Sequence, residues 1–154
     1  MTSEFAIALH ILGSLTSRGG GPLTSDQMAD TYDTHAVVIR RVQSKLNKAG
    51  LIRTRRGAGG GSVLAREPAD ISLREAYEAV APEPRLLPQN PDSCKEAVPV
   101  VMGEYVSEIC AEAEQALLAR LETITIKQMD RTIRTRIRKA MTVSQGARGR
   151  GSAP

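Results

Sequence analysis

The sequence predicts a mainly α-helical fold with one small β-hairpin, completed by a long helix and a C-terminal helix. Three observations lead to this prediction. Apolar residues recur at intervals of three and four along most of the 154 residues, which is the spacing of amphipathic helices. Aromatic residues make up only 3% of the chain, which favours an aliphatic, helical core. Strand-like segments flank the glycine-rich stretch at 57–61.

Two short helices are expected at the start of the chain. The first covers residues 3–17 and ends at the glycines of 19–21. The second follows Thr24, because the Thr24 hydroxyl and the Gln27 side chain can form a capping box, and it ends near residue 31.

The third helix is expected to begin after Asp33 and to end at Gly50, which suits a helix C-terminus. Its packing face is marked by three apolar residues that recur at every fourth position: Val38, Val42 and Leu46. This face is expected to lie against the core, and the opposite face is expected to be exposed.

A β-hairpin is predicted next, because strand-like segments at 51–55 and 62–65 flank a turn at 57–61 that is rich in glycine. Glycine takes positive φ values without strain, which suits such a turn. Three short helices followed by a hairpin is the order of elements in a winged helix-turn-helix domain, which we place at residues 1–80.

A fourth helix and a proline-rich segment follow the hairpin. Ser72 and Glu75 occupy the positions of a second capping box, so a helix is expected up to about residue 80. Four prolines between residues 82 and 91 exclude regular structure, and residues 81–97 are therefore predicted to form a loop.

The longest predicted helix begins near Pro99 and continues to about residue 124. At about 1.5 Å per residue it is roughly 35 to 40 Å long, which is more than a domain of this size can cover. Its apolar stripe is expected to pack against a second copy of the chain, although folding back on its own domain is the competing arrangement. The residues predicted at this dimer interface are Met102, Tyr105, Ile109, Leu117 and Leu121.

The last predicted helix is basic and is expected to start at Thr125 and to end near Met141. Two interpretations of its charge stay open: additional phosphate contacts, or pairing with the acidic middle of a partner subunit. Residues 98–142 are thus assigned to the dimerisation helix and this basic helix. Residues 143–154 consist largely of Gly, Ser, Ala and Arg, and they are expected to form a disordered tail.

Charge is segregated along the chain, although the net charge is only +4. Residues 34–66 contain eight Lys or Arg and no acid, residues 67–122 contain four basic and twelve acidic residues, and residues 123–154 contain eight basic residues and one acid. A basic block on a helix-turn-helix and its hairpin is typical of a surface that binds a polyanion. A solvated surface is the simpler alternative.

The glycine-rich turn does not match a nucleotide-binding loop. A P-loop requires Lys before Ser or Thr, whereas Ser62 directly follows Gly61. A dinucleotide fingerprint requires a third glycine at the position of Ser62 and then a helix, where the sequence predicts a strand. Carboxylates paired with His or Lys in a catalytic pattern are not recognisable either. We therefore expect no enzymatic activity, no cofactor and no metal site.

A cytoplasmic location without membrane association is expected. No apolar run approaches the roughly 18 to 20 residues that cross a bilayer, and the N-terminal segment lacks the pattern of a signal peptide. The two cysteines are too few for a disulfide framework, which fits a reducing compartment.

Double-stranded DNA is the expected partner of the basic block. In a winged helix-turn-helix, the second helix crosses the DNA backbone and the third enters the major groove. Arginine can bond guanine edges, small apolar side chains can meet thymine methyl groups, and wing arginines suit a narrow minor groove. The residues predicted to contact DNA are Thr24, Ser25, His35, Ala36, Val37, Arg40, Arg41, Lys45, Arg53, Arg55, Arg56, Gly59 and Gly60.

The alternative function is that of a protein-interaction adaptor, in which the same winged helix binds a protein and its basic residues only contact solvent. Arg40 and Arg41 would then be ordinary helix-surface charges. A gel-shift with promoter DNA distinguishes the two functions.

The middle of the chain also resembles a known family. Three stretches carry the resemblance: VVIRRVQSKLNKAGLI at 37–52, RGAGGGSVLA at 56–65 and EPADISL at 67–73. They are similar to the Rrf-two family of bacterial winged-helix regulators, which includes IscR, NsrR and CymR, and NPDSC at 90–94 is most similar to its YwnA-like branch. The resemblance covers about residues 1–126. It implies a homodimer that is joined through the long helix and binds a palindromic operator, usually as a repressor.

The cysteines depart from the iron–sulfur members of that family, which carry three cysteines in the loop before the dimer helix. Here that loop offers only Cys94, so no iron–sulfur cluster is expected. Cys94 could respond to oxidants or electrophiles, or it could be an unreactive remnant, and both interpretations stay open. Cys110 lies on the long helix beside Ile109 and is interpreted as a packing residue.

Overall fold

A computed structural model describes residues 3–19, 21–57, 59–81 and 97–148. Within these residues it contains six helices and one two-stranded sheet. The helices and strands are α1 (Ser3–Ser17), α2 (Ser25–Tyr32), α3 (Ala36–Lys48), β1 (Ile52–Arg55), β2 (Gly61–Leu64), α4 (Leu73–Val80), α5 (Ala97–Glu122) and α6 (Ile126–Arg148). The predicted mainly α fold with one hairpin is confirmed.

One aliphatic core holds the first four helices together, because α1, α3 and α4 pack against one another. Its fully buried side chains include Ile11, Leu12, Leu15, Ile39, Leu46, Leu51 and Ile71. The ring of Phe5 meets that of Tyr77 edge to face, with 5.2 Å between the ring centres. Because this core contains few aromatic residues, its packing depends on branched aliphatic side chains, as the composition predicts.

Local capping interactions start the helices where the sequence predicts. The Thr24 hydroxyl accepts a hydrogen bond from the Gln27 amide at 3.2 Å, and the Gln27 side chain accepts one from the Thr24 amide at 3.1 Å. Ser72 and Glu75 form the same reciprocal pair at the start of α4. At the end of α3, Gly50 has a φ of +71°, a value that glycine adopts without strain.

The packing face of α3 differs from the prediction in one position. Val42 and Leu46 are buried as predicted, but Val38 is only half-buried and Ile39 is fully buried in its place. The reason is the helical repeat of 3.6 residues, since the buried face follows positions 39, 42, 43 and 46 rather than a strict interval of four. This face therefore includes one polar residue, Gln43.

The hairpin is fixed to the segment that precedes α2. Strands β1 and β2 are antiparallel, and Ser62 of β2 exchanges two backbone hydrogen bonds with Leu23, at 3.0 and 2.8 Å. Gly61 has a φ of +150°, and a Cβ atom at this position would lie 2.6 Å from the Leu23 carbonyl oxygen. The hairpin can approach Leu23 this closely only because residue 61 is glycine.

Helices α5 and α6 are attached to the same core at the turn between them. The Leu73 amide donates to the Ile124 carbonyl at 2.8 Å, and the Ile126 amide donates to the Ile71 carbonyl at 2.9 Å. The first turns of α6 then pack against α1, where Ser17 donates to the Asp130 carboxylate at 2.6 Å. The C-terminal end of α5 is thus held directly by the winged domain.

The C-terminal helix is longer than predicted. It continues past Met141 to Arg148 and so extends into the segment 143–154 that is expected to be a tail. The chain has no proline between Pro99 and Pro154, so every backbone N–H up to Arg148 can donate to the carbonyl four residues earlier. Residues 149–154, and residues 82–96 of the predicted proline-rich loop, lie outside the described residues.

Candidate nucleic-acid interface

Helices α2 and α3 and the hairpin form the walls of an open groove of about 580 Å³. Its walls come from three segments that are distant in sequence. The lining residues include Thr24, Ser25 and Asp26 of the first wall, Arg40, Gln43, Ser44 and Asn47 of the second, and Thr54, Arg55, Gly57 and Gly60 of the third. The helix-turn-helix and its wing therefore present a common surface.

The start of α2 provides hydroxyl groups on one wall of the groove. Thr24 is exposed, and its hydroxyl proton has no acceptor among the described residues, so it can donate to a phosphate. Ser25 is half-buried and donates its proton to the Gln43 side chain at 2.7 Å. As placed, the Ser25 hydroxyl can accept a hydrogen bond but does not offer a free proton to a phosphate.

The exposed face of α3 begins with His35 and Val37. His35 is exposed and occupies the N-cap position, without a capping hydrogen bond from its side chain. Val37 is 71% exposed, so its isopropyl group is free to make an apolar contact. Ala36 differs from both, since it packs partly against the core.

Arg40 lies at the rim of the groove and forms an ion pair with Asp26 at 3.2 Å. Both side chains are mostly exposed, so the pair contributes about 1 kcal/mol at most and can be exchanged for another anion.

Arg41 and Lys45 lie on a different side of α3 and both contact Glu4 of α1, at 2.8 and 2.7 Å. The hydrogen bond from Lys45 holds the pKa of Glu4 below its ordinary value, with help from the charges of Lys45 and Arg41 and against the effect of burial. Successive helix residues project about 100° apart, which separates Arg41 from Arg40. The structure thus divides the basic residues of α3 into two groups.

The hairpin carries three exposed arginines that form no ion pair within the part of the chain that the structure describes: Arg53, Arg55 and Arg56. Arg55 lines the groove together with Thr54, and it also lies with Arg53 beside the end of α1. Gly60 is required by the turn itself, because a Cβ there would lie 2.8 Å from the Gly57 carbonyl oxygen. Gly59 is exposed at the tip with a φ of +75°.

On α3, sequence reasoning missed three residues that line the groove: Gln43, Ser44 and Asn47. Ser44 and Asn47 are exposed and lie one and two turns after Arg40, at the i+4 and i+7 positions. That spacing was the available signal, because positions 44 and 47 continue the row of Arg40 beyond the first two turns of the helix. Gln43 gave no signal, because a polar residue in the middle of a helix is ordinarily expected to be exposed.

Helix α5 exposes a stripe of apolar side chains. Of the predicted interface residues, Met102, Tyr105, Ile109 and Leu117 are all exposed, and Tyr105 reaches 63%. Val101 and Val106 belong to the same exposed set and were missed. Leu121 instead packs partly against the core of its own chain, because the end of α5 is held there.

The remaining expectations concern cysteines, metals and membranes. Cys110 is half-buried on α5, and Cys94 lies outside the described residues. Across residues 3–19, 21–57, 59–81 and 97–148, no cluster of His, Cys, Asp and Glu has the arrangement of a metal site. None of the helices in those ranges combines the length and the apolar character that a bilayer span requires.

The sequence profile of the Rrf2 family, described as iron-dependent transcriptional regulators, matches residues 1–132. The chain belongs to the Rrf2 family. It is accordingly a transcriptional regulator of a DNA-binding family and not an enzyme. The winged helix-turn-helix architecture predicted for residues 1–80 fits this Rrf2 assignment.

Individual relatives agree with the family. YwnA of Bacillus subtilis (strain 168), a candidate HTH-type transcriptional regulator, is 40% identical to this Rrf2 chain over 86 residues, which are 56% of this chain and 62% of YwnA. The HTH-type transcriptional regulator NsrR of the same strain is 26% identical over 133 residues, which are 84% of this chain and 88% of NsrR. The crystal structure of a candidate DNA-binding protein is 32% identical, with a TM-score of 0.65 over 82% of this chain and 98% of that one.

Proposed function

We propose that this Rrf2 regulator binds a palindromic operator as a homodimer and represses transcription there. The observation that carries the proposal is the common groove, into which α2, α3 and the wing project hydroxyl, amide and guanidinium groups. Asp26 is the one acid among the described groove-lining residues, and it is already paired with Arg40. Such a surface attracts a polyanion and can also read it.

Helix α3 is the element that would read base edges in the major groove. Arg40 can release Asp26 at small cost and bond the O6 and N7 atoms of a guanine, and the exposed Val37 can contact a thymine methyl group. Ser44 and Asn47 extend the same row toward the end of the helix. Contacts to phosphates would come from Thr24 on one side and from the wing on the other.

The wing arginines would contribute charge more than base recognition. Arg55 and Arg56 are exposed and unpaired within the described residues, so their charges remain available for a backbone or a narrow minor groove. Arg41 and Lys45 share the carboxylate of Glu4, which offsets part of their charge. We therefore assign base recognition to Arg40 rather than to Arg41.

Dimerisation is supported by the apolar stripe on α5. Met102, Tyr105 and Ile109 are exposed together on one long helix, and exposed apolar side chains in such a row are typical of an interface. A twofold dimer would present two copies of α3 to half-sites about 34 Å apart, one helical turn of DNA. A dimer bound over a promoter excludes RNA polymerase, which is the simplest route to repression.

The proposal includes a thiol response through Cys94. It depends on the sequence alone, because Cys94 stands in the proline-rich segment that precedes the dimer helix. Its test is Cys94→Ser, which should leave DNA binding intact and remove any loss of binding caused by peroxide. An unchanged peroxide response in that variant would exclude Cys94 as the sensor.

The proposed function is tested with the DNA upstream of the protein's own gene. Fluorescence anisotropy should show tight binding to one segment of that DNA, and light scattering of the complex should give two protein chains per duplex. Binding to no segment of the upstream DNA, followed by an absence of enriched sites in a genome-wide occupancy experiment, would overturn the proposal in favour of a protein-interaction role.

A further inference from the structure

Gln43 is a buried polar residue at the centre of the DNA-facing elements. Its side-chain oxygen accepts a hydrogen bond from Ser25 at 2.7 Å, and its side-chain nitrogen donates to the Ser62 hydroxyl at 3.0 Å. The same nitrogen donates to the Met28 sulfur at 3.5 Å. One amide from α3 is thus bonded to two residues of α2 and one residue of the wing.

The hydrogen bonds define how this amide is oriented. A thioether sulfur can only accept, so the nitrogen must face Met28, and the oxygen must then face Ser25. Gln43 and Ser62 border the groove but are both buried, at 9% and 4% exposure, so only a small part of either side chain can reach water as a substitute partner. Leaving the Gln43 amide or the Ser62 hydroxyl without a hydrogen bond would reduce the stability of the fold. This favours the one arrangement in which the Gln43 amide is hydrogen-bonded to both Ser25 and Ser62.

The partners of Gln43 lie next to the residues proposed to contact DNA. Ser25 stands between Thr24 and Asp26 at the start of α2. Ser62 is paired with Thr54 across the hairpin, one position from the pair of Arg55 and Gly61. The Gln43 amide therefore links the α2 contacts and the wing contacts to the helix that carries Arg40.

We propose that Gln43 is a positioning residue for DNA specificity: it fixes the wing and the start of α2 relative to α3 without contacting DNA. The proposal rests on the proposed function. Non-specific affinity depends on phosphate charge, which Gln43 does not supply, whereas discrimination between sequences depends on contacts that must all be made at once. Loss of Gln43 therefore lowers discrimination more than it lowers affinity for random DNA.

A purely structural role predicts a different outcome. Gln43→Leu replaces the amide with an apolar side chain of similar size, and it suits a buried position on α3. If Gln43 only contributed to stability, then any variant of equal stability would bind DNA with the same discrimination. The matched control is Ile126→Val, which removes one methylene from a fully buried residue at the start of α6, outside the three DNA-facing elements.

The experiment compares wild type, Gln43→Leu, Ser62→Ala and Ile126→Val at a temperature where all four are folded. Anisotropy gives the dissociation constants for an operator duplex and for a random duplex of equal length. The dissociation constant for random DNA divided by that for operator DNA should fall about tenfold in Gln43→Leu, similar to the loss of one good base contact. It should stay unchanged in Ile126→Val. Ser62→Ala removes only the hydrogen bond between Gln43 and the wing. It replaces Gln43→Leu in the comparison if Gln43→Leu does not fold.

A second measurement does not require an operator. Amide hydrogen exchange across residues 52–64 should be faster in Gln43→Leu than in wild type, because the wing has lost its side-chain hydrogen bond to α3. An unchanged ratio together with unchanged exchange would overturn the positioning role. An equal fall of the ratio in Ile126→Val would also overturn it. A wild-type protein that does not distinguish the two duplexes would instead contradict the proposed function itself, and faster wing exchange in Gln43→Leu would then show only that Gln43 holds the wing against α3.

Discussion

Arg40 and Asp26 join the two helices of the helix-turn-helix at the rim of its groove, with 3.2 Å between a guanidinium nitrogen and a carboxylate oxygen. The pair is exposed, so it orients Arg40 without holding it strongly. Arg41, the next residue along the chain, turns to Glu4 on α1 instead. Two adjacent arginines in the sequence therefore have different surroundings, and different roles are expected of them.

Arg40→Ala should reduce the preference for operator over random DNA by about 1 to 3 kcal/mol, the value of a bidentate contact to guanine. The matched control is Arg41→Ala, which removes the same charge from the side of α3 that faces Glu4. Dissociation constants for both duplexes give the comparison. A larger loss of preference in Arg41→Ala than in Arg40→Ala would reverse the assignment of the two residues.

Arg55→Ala and Arg56→Ala should weaken binding to operator DNA and to random DNA to a similar extent, because the wing arginines are proposed to contribute mainly charge. Each change should reduce the slope of log K against log salt concentration by about one. Arg66→Ala is the control, since Arg66 lies just after the hairpin but is paired with Glu75. An effect of Arg55→Ala on operator DNA alone would instead indicate base recognition by the wing.

Ile109→Asp should convert the protein into a monomer, because it places a charge in the exposed apolar stripe of α5. Val37→Asp makes the same kind of change on an exposed valine of α3 and should leave the oligomeric state unaltered. Sedimentation velocity distinguishes the two. A stable dimer in Ile109→Asp would direct the search for the interface to other surfaces.

Glu4→Gln should destabilise the protein at neutral pH and have progressively less effect in acid. The pKa of Glu4 is lowered in the folded state, so its carboxylate contributes stability above its ordinary pKa, and that contribution is lost as the pH falls through the lowered value. Thermal unfolding of wild type and Glu4→Gln at pH 7 and at pH 3 measures this. A difference in Tm that stays constant over this range would show that the carboxylate charge is not the source of the stability.

Local interactions explain which parts of the fold could be predicted from sequence. The capping boxes of Thr24 with Gln27 and of Ser72 with Glu75 involve residues three apart, so the sequence contains all that is needed to recognise them. The same holds for Gly50 at the end of α3. Helix starts of this kind were therefore predicted within about one residue.

Long-range packing explains what the sequence did not reveal. Arg40 and Arg41 cannot be separated without knowing that Glu4 lies against one side of α3. The burial of Gln43 depends on Ser25 and Ser62, which are 18 and 19 residues away in opposite directions along the chain. Gly61 was expected to serve the turn, whereas its closest neighbour is the backbone of Leu23.

Operator binding should depend steeply on salt concentration, because basic residues of α3 and the wing are proposed to form one DNA-binding surface. If roughly 6 to 10 phosphates are contacted, raising the salt concentration from about 50 to about 200 mM should weaken binding by about 10³ to 10⁵. A steep linear decrease of log K, with the operator still preferred over random DNA at each concentration, is the result expected. Binding that does not change with salt would contradict the account.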